Sequence, residues 1–528
     1  MGDMKNYSTF KEKLVIGIII FILIAIILIP SIDASITKLE DKNSNLTNQI
    51  LDMISDGGVL DVQYIYNITA SLSNIIFDVY DEENGEIAKG RAFGTKGEHR
   101  AAEILYENMS DLGLYTIKEQ IKNTEKYPDL THELEITDYF IKINNKKIDA
   151  YIAPVWFENS ENNYNLNHTY NYTNLKVIQP PIIPRLYIQR QRLTGNQEPF
   201  VIIFEDRAFY PYSPLKILPF FNNFRFSYYI IRQLQGGIPV LYSWLWNQYL
   251  DYCKGLILYD FNKDVHDMNI LKGLNHIPFI FINGSDGKKI LNDINETRTD
   301  FKLTQYLNTS TVSYNVIGQL NGTDPNKTVI VDCLYDSWWC QGTADSAIGM
   351  AMVLAVAKFF IENNITPKYT IKFIGFGGEE HGSYAGAKYY ESSHKDENIL
   401  YVIDLNQLGF RQDDPKLTLN VIGNKLCFLI DIWKVIKKAD YENRVNSSDG
   451  IKLLWLKKGG PGNAIIFATS RSHCKTLLIL KDSGWKMHHR DGLNHTEGDV
   501  LKYFDWTDVN VTGEIVLNIT RYLTLNPT

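Results

Sequence analysis

From Tyr314 onward the chain alternates short apolar, β-branched runs with a helix-patterned one: NVIGQL and KTVIVDCLYD, then SAIGMAMVLAVAKFFIEN, then KYTIKFIGFGGEE, then NILYVIDLNQLG. No other feature constrains the fold as tightly. Strands that alternate with helices build a largely parallel sheet covered on both faces. Sheets of that kind collect ligands outside the carboxyl ends of their strands. Asp336, Glu379, Glu380 and Asp404 all fall at such ends, and Asp345 follows Asp336 across a Gly-containing turn.

Four acids (Asp345, Glu379, Glu380, Asp404) followed by His495 in GLNHTEGD offer hard oxygen donors and one imidazole. That donor set suits zinc or another divalent ion. Carboxylates converging on one pocket without a cation would repel and take up protons.

The order and spacing of these groups resemble the co-catalytic zinc aminopeptidase and glutamate carboxypeptidase family, including members with a protease-associated domain inserted into the peptidase fold. The resemblance covers most of the chain after about Asp61. Its most specific parts are YDSWWCQGTADSAIG, FGGEEHGSYAGAKYY, VIDLNQLG and NHTEGD. GGPGNAIIFATS, preceded by NSSDG, is similar to a later strand of the family, and GLILYDF with NHIPFIFINGSDGKKIL to the core of the inserted domain. The resemblance implies a zinc exopeptidase fold of class α/β, a largely parallel mixed sheet flanked by helices, carrying a β-rich protease-associated insert. It also implies Asp345 as a carboxylate bridging two zinc ions, Glu380 and His495 completing one ion, Asp404 on the other, and Glu379 as general base. A carboxylate beside a metal-activated water is placed to take its proton and pass it to the leaving amine.

Leu334 departs from that pattern, because the family expects a histidine there as a ligand of the second ion. Leucine has no lone pair, so the second position weakens unless another group replaces it. Asp336, two residues along the same strand and on the same face, is one candidate; in the intact pattern it would orient the absent histidine. His381, His488 and His489 are the others. The adjacent Trp338 and Trp339 read either as a substrate subsite or as packing of the turn.

The expected organisation is a cytoplasmic tail (1–13), a transmembrane signal anchor (14–32), a stalk (33–60), a metallopeptidase domain (61–129 and 313–528) and a protease-associated insert (130–312). Leu14 to Ile32 is apolar and uncharged, close to the roughly 20 residues a membrane helix needs. Lys5, Lys11 and Lys13 precede it and place the N-terminus in the cytoplasm. A cleaved signal peptide is the competing reading. The rest of the chain then lies outside the cell on a single-pass anchor at the cell membrane, consistent with N-x-S/T sequons at Asn67, Asn108, Asn167, Asn171, Asn283, Asn321, Asn326 and Asn518. The aromatic run Phe209 to Tyr229 reads as a core, a partner surface or a segment near the membrane.

A net charge of -8 supplies no basic face for phosphate, so nucleic acid is excluded as a partner. Five cysteines without a CxxC pair argue against a cysteine-rich zinc site, and buried free thiols are expected over a Cys333–Cys340 bridge. Two functions follow: a membrane-anchored zinc exopeptidase acting on peptides, or a catalytically impaired binding protein on the same fold. The sequence leaves a homodimer open.

Overall fold

The computed structural model describes residues 60–78, 87–153, 155, 167–178, 199–205, 253–259, 277–338, 340–380, 384–408, 419–439, 451–455, 462–481 and 495–525. The anchor segment 14–32, the aromatic run 209–229, Trp339, His381, His488 and His489 lie outside the described residues.

The alternation seen from Tyr314 becomes an eight-stranded mixed sheet. Its centre is four parallel strands, ordered Lys475–Lys481, Ile399–Asn406, Asp324–Leu334 and Tyr369–Phe376. Tyr314–Leu320 and Tyr115–Gln120 extend one side antiparallel, and Leu419–Gly423 with Ile451–Trp455 extend the other. Successive strand residues point to opposite faces, and the core divides accordingly. Val329, Val331, Cys333, Ile403 and Leu405 pack beneath helices on one face, while Ile330, Phe376, Val402 and Leu478 pack with Ala387, Tyr390 and Phe467 on the other.

Helix Ile348–Glu362 is apolar nearly all round and buried along most of its length, as a helix at the centre of a core must be. With the preceding turn it is long and apolar enough to cross a membrane, but 83% of its most apolar window is buried within the protein. Helix Val62–Ser73 packs on it, its start capped by Asp61, which accepts from the Tyr64 amide at 2.9 Å and pairs with Lys358 at 2.8 Å. Helix Trp506–Leu525 closes the same face, where Glu514 accepts from the Leu60 amide at 3.0 Å.

A second eight-stranded sheet is built from strands between Glu133 and Asn308. Its first and last long strands pair antiparallel, with Glu133 opposite Asn308. The two connections to the main sheet therefore leave side by side: the Thr311 amide donates to the Thr131 carbonyl at 3.1 Å, and the Thr131 hydroxyl to the Thr309 carbonyl at 2.7 Å. All five cysteines are free; Cys333 and Cys340 are both buried, as expected, and Cys427 alone of the five is exposed. Two sequon asparagines take part in helix hydrogen bonding. Asn518 is 6% exposed with its amide donating to the Glu514 carbonyl, and Asn283 caps helix Gly284–Asn292.

Candidate metal centre

Three of the residues read from sequence meet at one point. Asp345 lies in the turn before the core helix, Glu380 just after strand Tyr369–Phe376, and His495 ahead of the C-terminal helix. One ligand atom from each lies within 4.8 Å of the others. His495 Nε2 is 3.0 Å from Asp345 Oδ2 and 3.0 Å from Glu380 Oε2. Ligands about 2.0 to 2.1 Å from a tetrahedral zinc ion sit roughly 3.3 Å apart, so the trio is spaced closely enough to share one ion. Glu380 Oε1 is buried with no hydrogen-bond partner. Two carboxylates and an imidazole, with an orphaned oxygen among them, fit zinc, and three protein ligands leave the fourth position that catalytic sites keep open.

Protonation tendencies point the same way. Burial, reinforced by the Asp345 charge, pushes the Glu380 carboxyl up to about 8. Burial and then the Glu380 charge raise Glu379 well above the usual carboxylate range. Burial alone would lower the His495 imidazole, but Glu380 and Asp345 outweigh it and hold the ring well above its ordinary value. The pocket carries more negative charge than it can bury unaided, which a divalent cation would relieve.

The backbone around the trio is held by side chains the sequence did not mark. Asp499, four residues past His495 in the same motif, accepts from the Ala344 amide at 2.8 Å and the Asp345 amide at 3.2 Å. Gln407 Nε2 donates to Asp345 Oδ2 at 3.0 Å. Arg91 is fully buried and donates to the carbonyls of Tyr335, Gln341, Gly342 and Leu72 at 2.6 to 3.1 Å. It thereby ties the loop between the strand and Asp345 to the first helix. Beside it, Gly90 has φ 119°, and a Cβ there would come within 2.5 Å of the Trp338 and Cys340 carbonyls. Arg91→Met would leave those carbonyls buried and unpaired, at about 1–3 kcal/mol for each unsatisfied group. The expected result is a lowered thermal midpoint together with weaker zinc binding, measured by calorimetry and chelator competition.

Asp336, expected as a substitute ligand or as an orienter of a histidine, bonds to the backbone of the Glu–Glu turn. Its Oδ1 accepts from the Glu379 amide at 3.2 Å and its Oδ2 from the Glu380 amide at 3.1 Å. Both oxygens hold the Glu–Glu turn, so Asp336 orients the two glutamates. Of the proposed substitutes, His381, His488 and His489 fall outside the described residues.

Asp404, expected on the second ion, lies apart from the trio. In the parallel register Asp404 lies beside Asp332 and Leu405 beside Cys333, which puts Asn406 beside Leu334 at the strand tips. The site-proximal rung therefore holds a leucine and an amide, both buried, and Asp404 sits one side-chain step deeper. There its Oδ2 accepts from the Ala464 amide at 2.8 Å. Burial pushes Asp404 up to about 7, and burial followed by the Asp404 charge raises Asp332 well above its usual range. Because the folded values exceed the unfolded value near 4, the folded chain keeps protons that the unfolded chain has released between about pH 4 and 7. Stability contributed by this pair falls as pH rises through that window. The isosteric Asp404→Asn variant should lose less thermal stability than wild type between pH 5 and 7.5, a difference on the order of 2 kcal/mol; equal losses in the two proteins would contradict it.

Residues 315–520 match the family model described as Peptidase family M28. This segment is an M28 peptidase domain. The M28 segment contains every group of the trio, Asp336, Gln407 and Asp499, whereas Arg91 comes from outside it. Among curated proteins, carboxypeptidase Q of Bos taurus is 21% identical over 180 residues, covering 32% of this chain and 37% of the relative. An uncharacterised metallohydrolase of Methanocaldococcus jannaschii is 37% identical over 76 residues, covering 14% of this chain and 18% of that protein. The matched stretches thus span less than two fifths of these relatives. In fold, the chain is similar to a zinc aminopeptidase from Bacillus subtilis, with 16% identity, a TM-score of 0.56, and coverage of 89% of this chain and 96% of that one. It is also similar to an M28 peptidase precursor from Shewanella amazonensis, with 14% identity, a TM-score of 0.55, and coverage of 92% and 98%. Both spans extend well beyond the M28 segment.

Proposed function

We propose that the chain is a membrane-anchored, zinc-dependent exopeptidase of aminopeptidase type that hydrolyses peptides outside the cell with one zinc ion. The observation that carries this reading is the convergence of Asp345, Glu380 and His495 with a further buried carboxylate, Glu379, next to the ligand Glu380 in sequence. Zinc held by the trio supplies Lewis acidity toward the scissile carbonyl and toward water. Glu379 takes the proton of the attacking water and returns it to the leaving amine. Asp336 fixes the backbone of Glu379 and Glu380 together, so base and ligand keep one spacing. Gln407 and Asp499 hold the side chain and backbone of Asp345.

Support for a single ion comes from the Leu334 and Asn406 rung, which offers no anionic donor for a second. Support for the anchor and the extracellular setting comes from the apolar segment 14–32 and the basic residues before it. The β-rich unit between the two parts of the peptidase domain is read as a protease-associated insert, by the resemblance of GLILYDF and NHIPFIFINGSDGKKIL. The test is hydrolysis of aminoacyl and C-terminal peptide substrates by the purified full chain, with zinc and with chelator. Zinc-dependent release of N-terminal residues supports the proposal; release of C-terminal residues alone would reassign the type, and no release from any substrate would overturn it.

A further inference from the structure

We propose that Trp338 is a positioning residue through which the second sheet holds the imidazole of His495, an inference that rests on the metal-centre reading above. Trp338 is 2% exposed, and its ring lies 5.5 Å from that of His495 at an interplanar angle of 66°, an edge contact. The same side chain, with Cys340, belongs to an apolar cluster otherwise formed by the second sheet, including Phe200, Leu256, Phe279 and Phe281. One rigid indole therefore touches a ligand and sits in the core of the other sheet.

The geometry of His495 gives that contact its purpose. Its φ is 57°, a left-handed backbone that few non-glycine residues adopt. Asp345 and Glu380 each contact Nε2 at 3.0 Å, and contacts on that one atom fix its position more than the tilt of the ring. The indole, edge-on to the ring, restrains that tilt, and a metal bond needs the imidazole lone pair, which lies in the ring plane. Close-packed interiors transmit small displacements, so a shift in the second sheet's inner face reaches His495 through Trp338. The turn carrying Trp338 is itself tied down by Arg91, through the Tyr335 and Gln341 carbonyls on either side of it.

The test uses the full chain, with zinc affinity read by chelator competition and ligand geometry by the visible absorption of the cobalt(II) form. Trp338→Leu keeps an apolar side chain but removes the flat ring; it should weaken zinc binding by about 10-fold or more, the scale for groups that orient a metal-bound histidine, and alter the cobalt spectrum. Trp338→Phe restores a ring and should return both readouts toward wild type. Phe279→Ala, in the second sheet, should alter the cobalt spectrum although it offers no ligand. Wild-type affinity and spectrum in Trp338→Leu would overturn the positioning role. A wild-type spectrum in Phe279→Ala would overturn the link to the second sheet, and that arm stands even if Trp338→Leu fails to fold. Wild-type protein that binds neither zinc nor cobalt would instead bring down the metal-centre reading, and this inference with it.

Discussion

Replacing Glu379 with glutamine is expected to lower peptide hydrolysis by about 100-fold to 10,000-fold, the range general-base catalysis contributes, while leaving zinc content unchanged. Glutamine keeps the shape of glutamate, and the Glu379 amide still donates to Asp336, so the turn that carries Glu380 is preserved. The proton acceptor alone is lost. A metal-loaded wild-type protein no faster than Glu379→Gln on every substrate would show that the chain keeps the fold for recognition and not for chemistry.

Glu380→Gln is expected to fail differently, losing metal and activity together. The buried Glu380 carboxylate supplies Oε2 at 3.0 Å from His495 Nε2, and its other oxygen has no partner. A neutral amide in that place is a weaker zinc ligand, and it withdraws one of the trio's two carboxylate charges. Metal content and rate measured on the same preparation separate the two glutamates. Retention of zinc in Glu380→Gln with full loss of rate would exchange their roles.

The alternation of strands and helices made the main sheet legible, and the resemblance of TADSAIG, FGGEEHG and NHTEGD to family motifs marked Asp345, Glu380 and His495. Asp404 reads from the sequence as an acid at a strand tip, while the register places it one same-face rung below Asn406. Only the pairing of Asp404 with Asp332 shows that Asn406 occupies the outermost rung. Sequence gave no sign of Arg91, which acts through backbone carbonyls and comes from outside the peptidase motifs. A signal did exist for Asp499: it closes the NHTEGD motif, where an acid just after a ligand can secure the neighbouring turn. The joint between Trp338 and the second sheet depends on how two sheets pack, which no local pattern encodes.

The central claim is a single ion held by Asp345, Glu380 and His495. Its most direct test is the zinc content of the full chain after equilibration with excess zinc and removal of unbound metal, measured by elemental analysis beside His495→Ala. The account predicts one zinc per wild-type chain and none in the variant. Two zinc ions per wild-type chain would show that the Leu334 and Asn406 rung does not close the second position, and one zinc retained in His495→Ala would place the ion elsewhere.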